Sequence, residues 1–165
     1  MSYVDKNLMD GERVFYRAHR HWTIFGGPLL VLLAGVLVFG GVRLWAPTEW
    51  SPDSVSLAAL ILGAVIALFM AVPAGIDRVT SEFAVTNKRV IIKVGWIQRR
   101  SVETLLTKVE GIEVNQGICA RIFDYGTIVI TGTGGSKEPF ERIGAPLLFR
   151  RKVQEQILAL QLPGR

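Results

Sequence analysis

Two long stretches of this sequence contain no charged residue, and they constrain the fold more than any other feature. They are Trp22–Val42, with 21 residues, and Val55–Ile76, with 22 residues. As an α-helix, each would be roughly 32 Å long at about 1.5 Å per residue, enough to cross a hydrocarbon core of about 30 Å. A core helix of a soluble protein rarely stays uncharged for so long, because one face meets water. The sequence therefore predicts two membrane spans joined as a hairpin.

The Lys and Arg residues around these spans indicate an orientation. Four of them precede the first span, only Arg43 lies between the spans, and four more lie between residues 78 and 93. Because Lys and Arg accumulate in cytoplasmic segments, we expect both termini in the cytoplasm and residues 43–54 outside. A cleaved signal peptide is the alternative for the first span. The long preceding segment with three acids and the second span that follows both argue against it.

Tryptophans and small residues add detail to the predicted hairpin. Trp45 and Trp50 suit the outer membrane interface, and Trp22 suits the inner one. Small residues recur every four positions in the second span, at Ala59, Gly63, Ala67 and Ala71. Such a stripe lets two helices approach closely, which favours packing of the hairpin within one chain. Self-association in the membrane is the alternative.

The sequence changes character after Ile76, and we divide the chain into an N-terminal segment (1–21), a hairpin (22–76) and a soluble domain (77–165). In the soluble domain, alternating or β-prone runs predict strands at Glu82–Thr86, Arg89–Val94, Ile97–Glu103, Lys108–Asn115, Gly126–Thr133 and Lys137–Arg142. Gly111 suggests a β-bulge. A short helical turn is expected over residues 117–124. A final helix is expected from Pro146, with an apolar stripe through Phe149, Val153, Ile157 and Leu160.

These segments resemble a known family. The runs FAVTNKRVIIKVGWIQRRSVETLLTKVEGIEVNQ and DYGTIVITGTGGSKEPFERIGAP are similar to the bacterial pleckstrin-homology-like (PH-like) domain of small membrane proteins. The leading NLMDGERVFYRAHRHW, followed by two spans, is similar to that family's N-terminal arrangement. The resemblance implies a transmembrane hairpin and a small antiparallel β-barrel or sandwich of about seven strands, capped by a C-terminal α-helix. It also implies the bacterial inner (cytoplasmic) membrane, but no common activity.

Basic residues and one tryptophan in the first three predicted strands form the candidate binding surface. Its members are Lys88, Arg89, Lys93, Trp96, Arg99 and Arg100. Three interpretations stay open: a solvated positive surface, weak contact with anionic lipid, or a specific lipid site. Cations near an anionic leaflet contribute about 1 kcal/mol each, so lipid contact needs no specific pocket.

The remaining motifs do not indicate chemistry. His19 and His21 have no Cys, Asp or Glu at ligand spacing, whereas a zinc site needs three or four ligands, so we expect no metal. The glycine-rich run from Gly132 to Lys137 lacks the Gly-Lys-Ser/Thr order of a phosphate-binding loop and is interpreted as a hairpin turn. We expect no catalytic set, no cofactor and no nucleic-acid partner.

We therefore expect a membrane-anchored, non-enzymatic binding or scaffold module that presents its soluble domain at the cytoplasmic face. Its partners would be the surrounding lipids and a protein or larger membrane assembly of unknown identity. The alternatives are an anionic-lipid-sensing domain and an accessory subunit of a membrane enzyme or transporter. A homo-oligomer is also consistent with the sequence.

Overall fold

The computed structural model describes residues 3–45, 52–96, 100–133, 135 and 137–161. The chain divides into two compact units. The helical unit is Trp22–Ile76, and the β unit combines Met1–His21 with Asp77–Arg165. The β unit is thus built from chain on both sides of the hairpin.

The helical unit contains helix α2, Gly26–Trp45, and most of helix α3, Pro52–Thr80. By length and composition, Trp22–Trp45 and Asp53–Thr80 could each cross a membrane, with mean hydropathies of 2.2 and 2.7. Only 6% and 17% of their most apolar windows are buried within the chain, whereas the core helix of a soluble protein is mostly buried. Both predicted spans are therefore helices of suitable length, and Trp50 lies outside the described residues.

The two helices pack as a hairpin through their small residues. A Cβ added to Gly63 would lie 3.2 Å from Cα of Gly35, so the backbones touch where neither residue has a side chain. Ala67 is also buried, and Ala59 and Ala71 are partly buried. The predicted packing within one chain is confirmed, and the small-residue stripe is occupied by α2.

The β unit contains two antiparallel sheets. The first has the strand order β1-β2-β3-β4, with β1 Val14–Ala18, β2 Glu82–Thr86, β3 Arg89–Val94 and β4 Arg100–Leu105. The second has the order β5-β6-β7, with β5 Val109–Asn115, β6 Tyr125–Gly132 and β7 Lys137–Gly144. The register of β5 and β6 shifts between Val109 and Gly111, which confirms the predicted bulge.

The main core lies between the sheets and under the last helix. Helix α5, Pro146–Gln161, begins at the predicted proline and buries Phe149 and Val153 completely. These two side chains pack with Phe83, Ile92 and other inward residues of both sheets. The predicted fold, in which antiparallel strands are capped by a C-terminal helix, is confirmed.

The N-terminal segment forms structure that the sequence analysis did not assign. Strand β1 pairs with β2, and helix α1, Tyr3–Lys6, packs on the outer face of the first sheet. There Val4 joins Ala84 and Ile91 in a second small core. Both carboxylate oxygens of Glu82 accept hydrogen bonds from α1, from the backbone N–H groups of Tyr3 (3.1 Å) and Val4 (3.2 Å).

Candidate functional site

The predicted basic surface does not form one patch, because its members lie at opposite ends of the first sheet. Strand β3 runs from Arg89, paired with Leu105, to Val94, paired with Arg100. Five residues at about 3.3 Å each separate these ends by roughly 17 Å. Lys88 is therefore at one end, and Lys93, Trp96 and Arg100 are at the other. Arg99 lies outside the described residues.

Arg89 is an interior residue and does not belong to an exposed basic surface. It is 6% exposed, and its guanidinium binds the Glu12 carboxylate through Nε (3.0 Å) and Nη2 (3.0 Å). Nη1 pairs with Glu103 (2.5 Å), and Nη2 also donates to the backbone oxygen of Asn7 (2.6 Å). Successive side chains of β3 point to opposite faces of the sheet, and Arg89 lies on the face that the N-terminal segment covers. Its guanidinium holds that segment through Glu12 and Asn7 and also pairs with Glu103.

The Glu12 carboxylate completes this buried network. It also accepts hydrogen bonds from the Thr86 hydroxyl (2.7 Å) and the Met9 backbone N–H (2.8 Å). Burial alone would raise the pKa of Glu12. The hydrogen bonds from Arg89, Met9 and Thr86 outweigh burial and hold this pKa below its usual value of 4.5. The pKa of Arg89 is raised, first by its hydrogen bonds to Glu12, so both groups stay charged at neutral pH.

The remaining predicted site residues are exposed to different extents. Lys88 is exposed and its Nζ donates to the backbone oxygen of Asp10 (2.8 Å). Lys93 Nζ lies 4.9 Å from the ring centroid of Tyr3. Arg100 is exposed and pairs with Glu138, and Trp96 is 55% exposed at the β3–β4 turn. The half-buried Lys93 and the exposed Trp96 and Arg100 thus lie at one end of the β unit.

The two connections between the β unit and the helical unit leave the β unit next to each other. Arg20 and Asp77, which lie at the two junctions, form an ion pair, and Asp77 also accepts from the Ser81 hydroxyl (3.1 Å). Burial, followed by repulsion from Arg142, lowers the pKa of Arg20. We call this the junction end. The opposite end, with the β2–β3 turn, residues 105–108 and residues 133 and 135, is the distal end.

His21 is also part of the junction end. Its ring stacks on Tyr125 with centroids 5.4 Å apart, and its backbone N–H donates to Arg142 (2.8 Å). Burial, followed by repulsion from Arg78, lowers its pKa, although Asp124 acts in the opposite direction. Arg142, Asp124 and Ala145 all have positive φ angles between 48° and 56°. His21 is therefore packed into the β unit.

Two of the open grooves on the described part of the β unit concern the candidate site. One, of about 340 Å³, runs along the edge strand β4 toward the distal end and is lined by Thr104, Leu105, Lys108, Ile130, Thr133 and Glu138, among others. The other, of about 480 Å³, lies beside helix α4, Ile118–Ile122, and includes Asn115, Ile118, Cys119, Tyr125, Thr127 and Arg142. Within the described ranges, no three His, Cys, Asp or Glu side chains are grouped to hold a metal ion.

Two candidate membrane helices packed as a hairpin, together with a small, helix-capped antiparallel β unit, define the class of this protein. A family model described as Bacterial PH domain matches residues 28–162, well over half of the 165-residue chain. The chain belongs to the bacterial PH domain family, as the sequence resemblance indicated. Comparisons with curated proteins and with solved structures find no match.

Proposed function

We propose that this protein is a membrane-anchored, non-enzymatic binding module whose PH domain holds a protein partner at the cytoplasmic face of the inner membrane. The two candidate spans support the anchor, and the Lys and Arg distribution supports cytoplasmic termini. The observation that carries the proposal is the groove beside β4, which lies toward the end of the β unit away from both junctions.

This groove has features that suit a peptide segment of a partner. Strand β4 is at the edge of the first sheet, so its outer backbone groups are available for pairing with an added strand. Leu105 is 43% exposed and offers an apolar contact, and Lys108 offers a positive charge, whereas Glu138 in the same lining is paired with Arg100. Lys88 lies at the same distal end. The polar interior network around Arg89 has a structural role and leaves this surface as the binding face.

The test is native mass spectrometry of the full chain extracted from its own membrane in lipid discs. We expect a defined complex heavier than the chain and its lipids. Leu105→Arg combined with Lys108→Glu should remove the added mass. The matched control is Leu158→Arg on α5, where Leu158 is 58% exposed and does not line the groove. Extraction of only the chain, alone or as a homo-oligomer, would contradict the proposal.

Lipid sensing is a second candidate, favoured by the position of Lys93, Trp96 and Arg100 at the junction end. Lys93 pairs with Glu82, which is two residues beyond the end of the second candidate span at Thr80. In discs containing anionic lipid, this hypothesis predicts retention of anionic lipid that decreases with salt and is lost in Lys93→Gln, Trp96→Ala, Arg100→Gln variants. Equal lipid retention by the wild-type and variant chains would exclude it.

A further inference from the structure

Helix α4 exposes apolar side chains where a soluble surface would carry polar ones. Ile118 is 84% exposed and Ile122 is 73% exposed, and their spacing of four residues puts them on the same face. Ala120, on the inner side, is 7% exposed. Phe123, directly after the helix, is 47% exposed. The five-residue helix therefore turns its largest apolar side chains outward.

The position of α4 is fixed by contacts within the β unit. Phe123 is two residues from Tyr125, whose ring stacks on His21 at 5.4 Å. The backbone oxygen of Asp124 accepts a hydrogen bond from Ala145 (2.9 Å), and Gly144, next to Ala145, donates to the backbone oxygen of His19 (3.1 Å). These contacts hold the base of α4 against the residues that lead out of the β unit.

His21 is bonded to Trp22, the first residue of a candidate span, so the first connection to that span leaves the β unit beside the base of α4. The ion pair between Arg20 and Asp77 brings the second junction to the same place. Both connections to the candidate spans therefore leave the β unit at the same end as α4, which favours a lipid bilayer as the occupant of the exposed apolar face.

The other exposed residues of this end agree with a lipid occupant. Arg121 lies between the two isoleucines in sequence and is exposed, so its guanidinium can stay at the level of the phosphates while its neighbours reach deeper. Trp96 also lies at the junction end and is 55% exposed. Tryptophan and arginine beside exposed aliphatic side chains are typical of segments that lie in a membrane interface.

We propose that α4 is a membrane-inserting wedge. Ile118 and Ile122 enter the boundary between head groups and acyl chains of the bilayer that the spans cross, and Arg121 contacts lipid phosphate. This third contact would fix the orientation of the PH domain and leave the distal groove accessible. The proposal relies on the membrane anchoring in the proposed function but not on the existence of a protein partner.

The single cysteine of the chain provides the test, because Cys119 lies on α4 and is exposed. The full chain, labelled at Cys119 with a small environment-sensitive fluorophore, is reconstituted in discs of phosphatidylethanolamine and phosphatidylglycerol. The matched control is a Cys119→Ser, Lys108→Cys chain, labelled at the exposed distal position. Quenching is measured with shallow doxyl lipids and with aqueous iodide.

We expect the Cys119 label to be quenched by doxyl lipid and protected from iodide at least several-fold relative to the Lys108→Cys label. Ile118→Gln combined with Ile122→Gln should remove the lipid quenching without lowering the melting temperature, since both side chains are exposed. Leu158→Gln should change neither result.

Equal access of iodide to the two labels in discs would overturn the wedge. The same conclusion follows if Cys119 is shielded only in native membranes and not in the reconstituted discs, because a protein would then cover α4. The measurements in discs use the purified chain and give an answer whether or not a partner complex is found, so failure of the wedge and failure of the binding-module proposal are distinguishable.

Discussion

Arg89 and Glu12 connect parts of the chain that are far apart in sequence. Glu12 precedes the hairpin and Arg89 follows it, yet the two side chains share two hydrogen bonds of 3.0 Å in the interior. Thr86, Met9, Asn7 and Glu103 satisfy the remaining donors and acceptors around them. A network of this kind is stable only when it is complete, because each member is removed from water.

Removing one member of the pair should destabilise the β unit strongly. Arg89→Ala leaves the Glu12 carboxylate buried without its cation, which costs about 3–5 kcal/mol. The measurement is the free energy of unfolding of the β unit in the full chain, followed by Trp fluorescence in detergent. Arg151→Ala, which removes an exposed ion pair with Glu155, is the control and should leave the stability unchanged. An Arg89→Ala chain as stable as the control would contradict this role.

The pH dependence of stability should show the same network. Because the pKa of Glu12 is lowered in the folded state, the carboxylate stabilises the fold above the unfolded pKa of about 4.5. This contribution is lost as the pH falls below about 4.5 and through the folded pKa. We expect the melting temperature to fall over this range, and to fall less steeply in Glu12→Gln. Parallel acid profiles for the two chains would show that another group is responsible.

At the scale of elements, short-range patterns determined what the sequence could predict. Strands β2 and β3 begin and end at the predicted residues, and α5 begins at Pro146, because alternation, turn residues and a helix-start proline are local signals. Strand β1 was missed because VFYRA is short, lies beside a predicted span and has its partner about 70 residues away. The burial of Arg89 was not predicted for a similar reason, whereas Lys88 is in the predicted turn and exposed. The environment of Arg89 depends on a covering N-terminal segment that adjacent residues do not specify.

For the exposed residues of α4, by contrast, a local sequence signal was present. Ile118 and Ile122 have the spacing of one helical face, so the sequence contained a signal for this surface. Without the fold, that face was indistinguishable from a core-facing one. The contacts of Tyr125 with His21 were needed to place α4 beside a membrane junction.

The contact between α2 and α3 should tolerate no large side chain at Gly63. Gly63→Leu would push against the backbone at Gly35, where even a Cβ would lie 3.2 Å from Cα, and overpacking of this kind costs about 1–3 kcal/mol. We expect an SDS titration of the full chain to show earlier separation of the hairpin. Ala64→Leu, on the adjacent exposed position, is the control. A Gly63→Leu chain with an unchanged midpoint would mean that the hairpin packs differently.

At the scale of the whole molecule, the arrangement of Lys and Arg predicts which parts face the cytoplasm. In a Cys119→Ser background, a cysteine replacing Lys108 should react with a membrane-impermeant maleimide only after the cells are permeabilised. Asp53→Cys, within the predicted outside loop of residues 43–54, should react in intact cells. The reverse pattern, or release of the chain by carbonate washing, would contradict the proposed location and topology.

The pairing of β1 with β2 has a consequence for biosynthesis. The ribosome makes β1 before the hairpin and β2 after it, so the first sheet cannot be completed until both apolar helices have been synthesised. If these helices cross a bilayer, the two strands meet only when the chain has gone out and come back. In a molecule with only one helix inserted across the bilayer, β1 and its partner β2 would lie on opposite sides of the membrane. Completion of the sheet would thus act as a checkpoint for correct insertion.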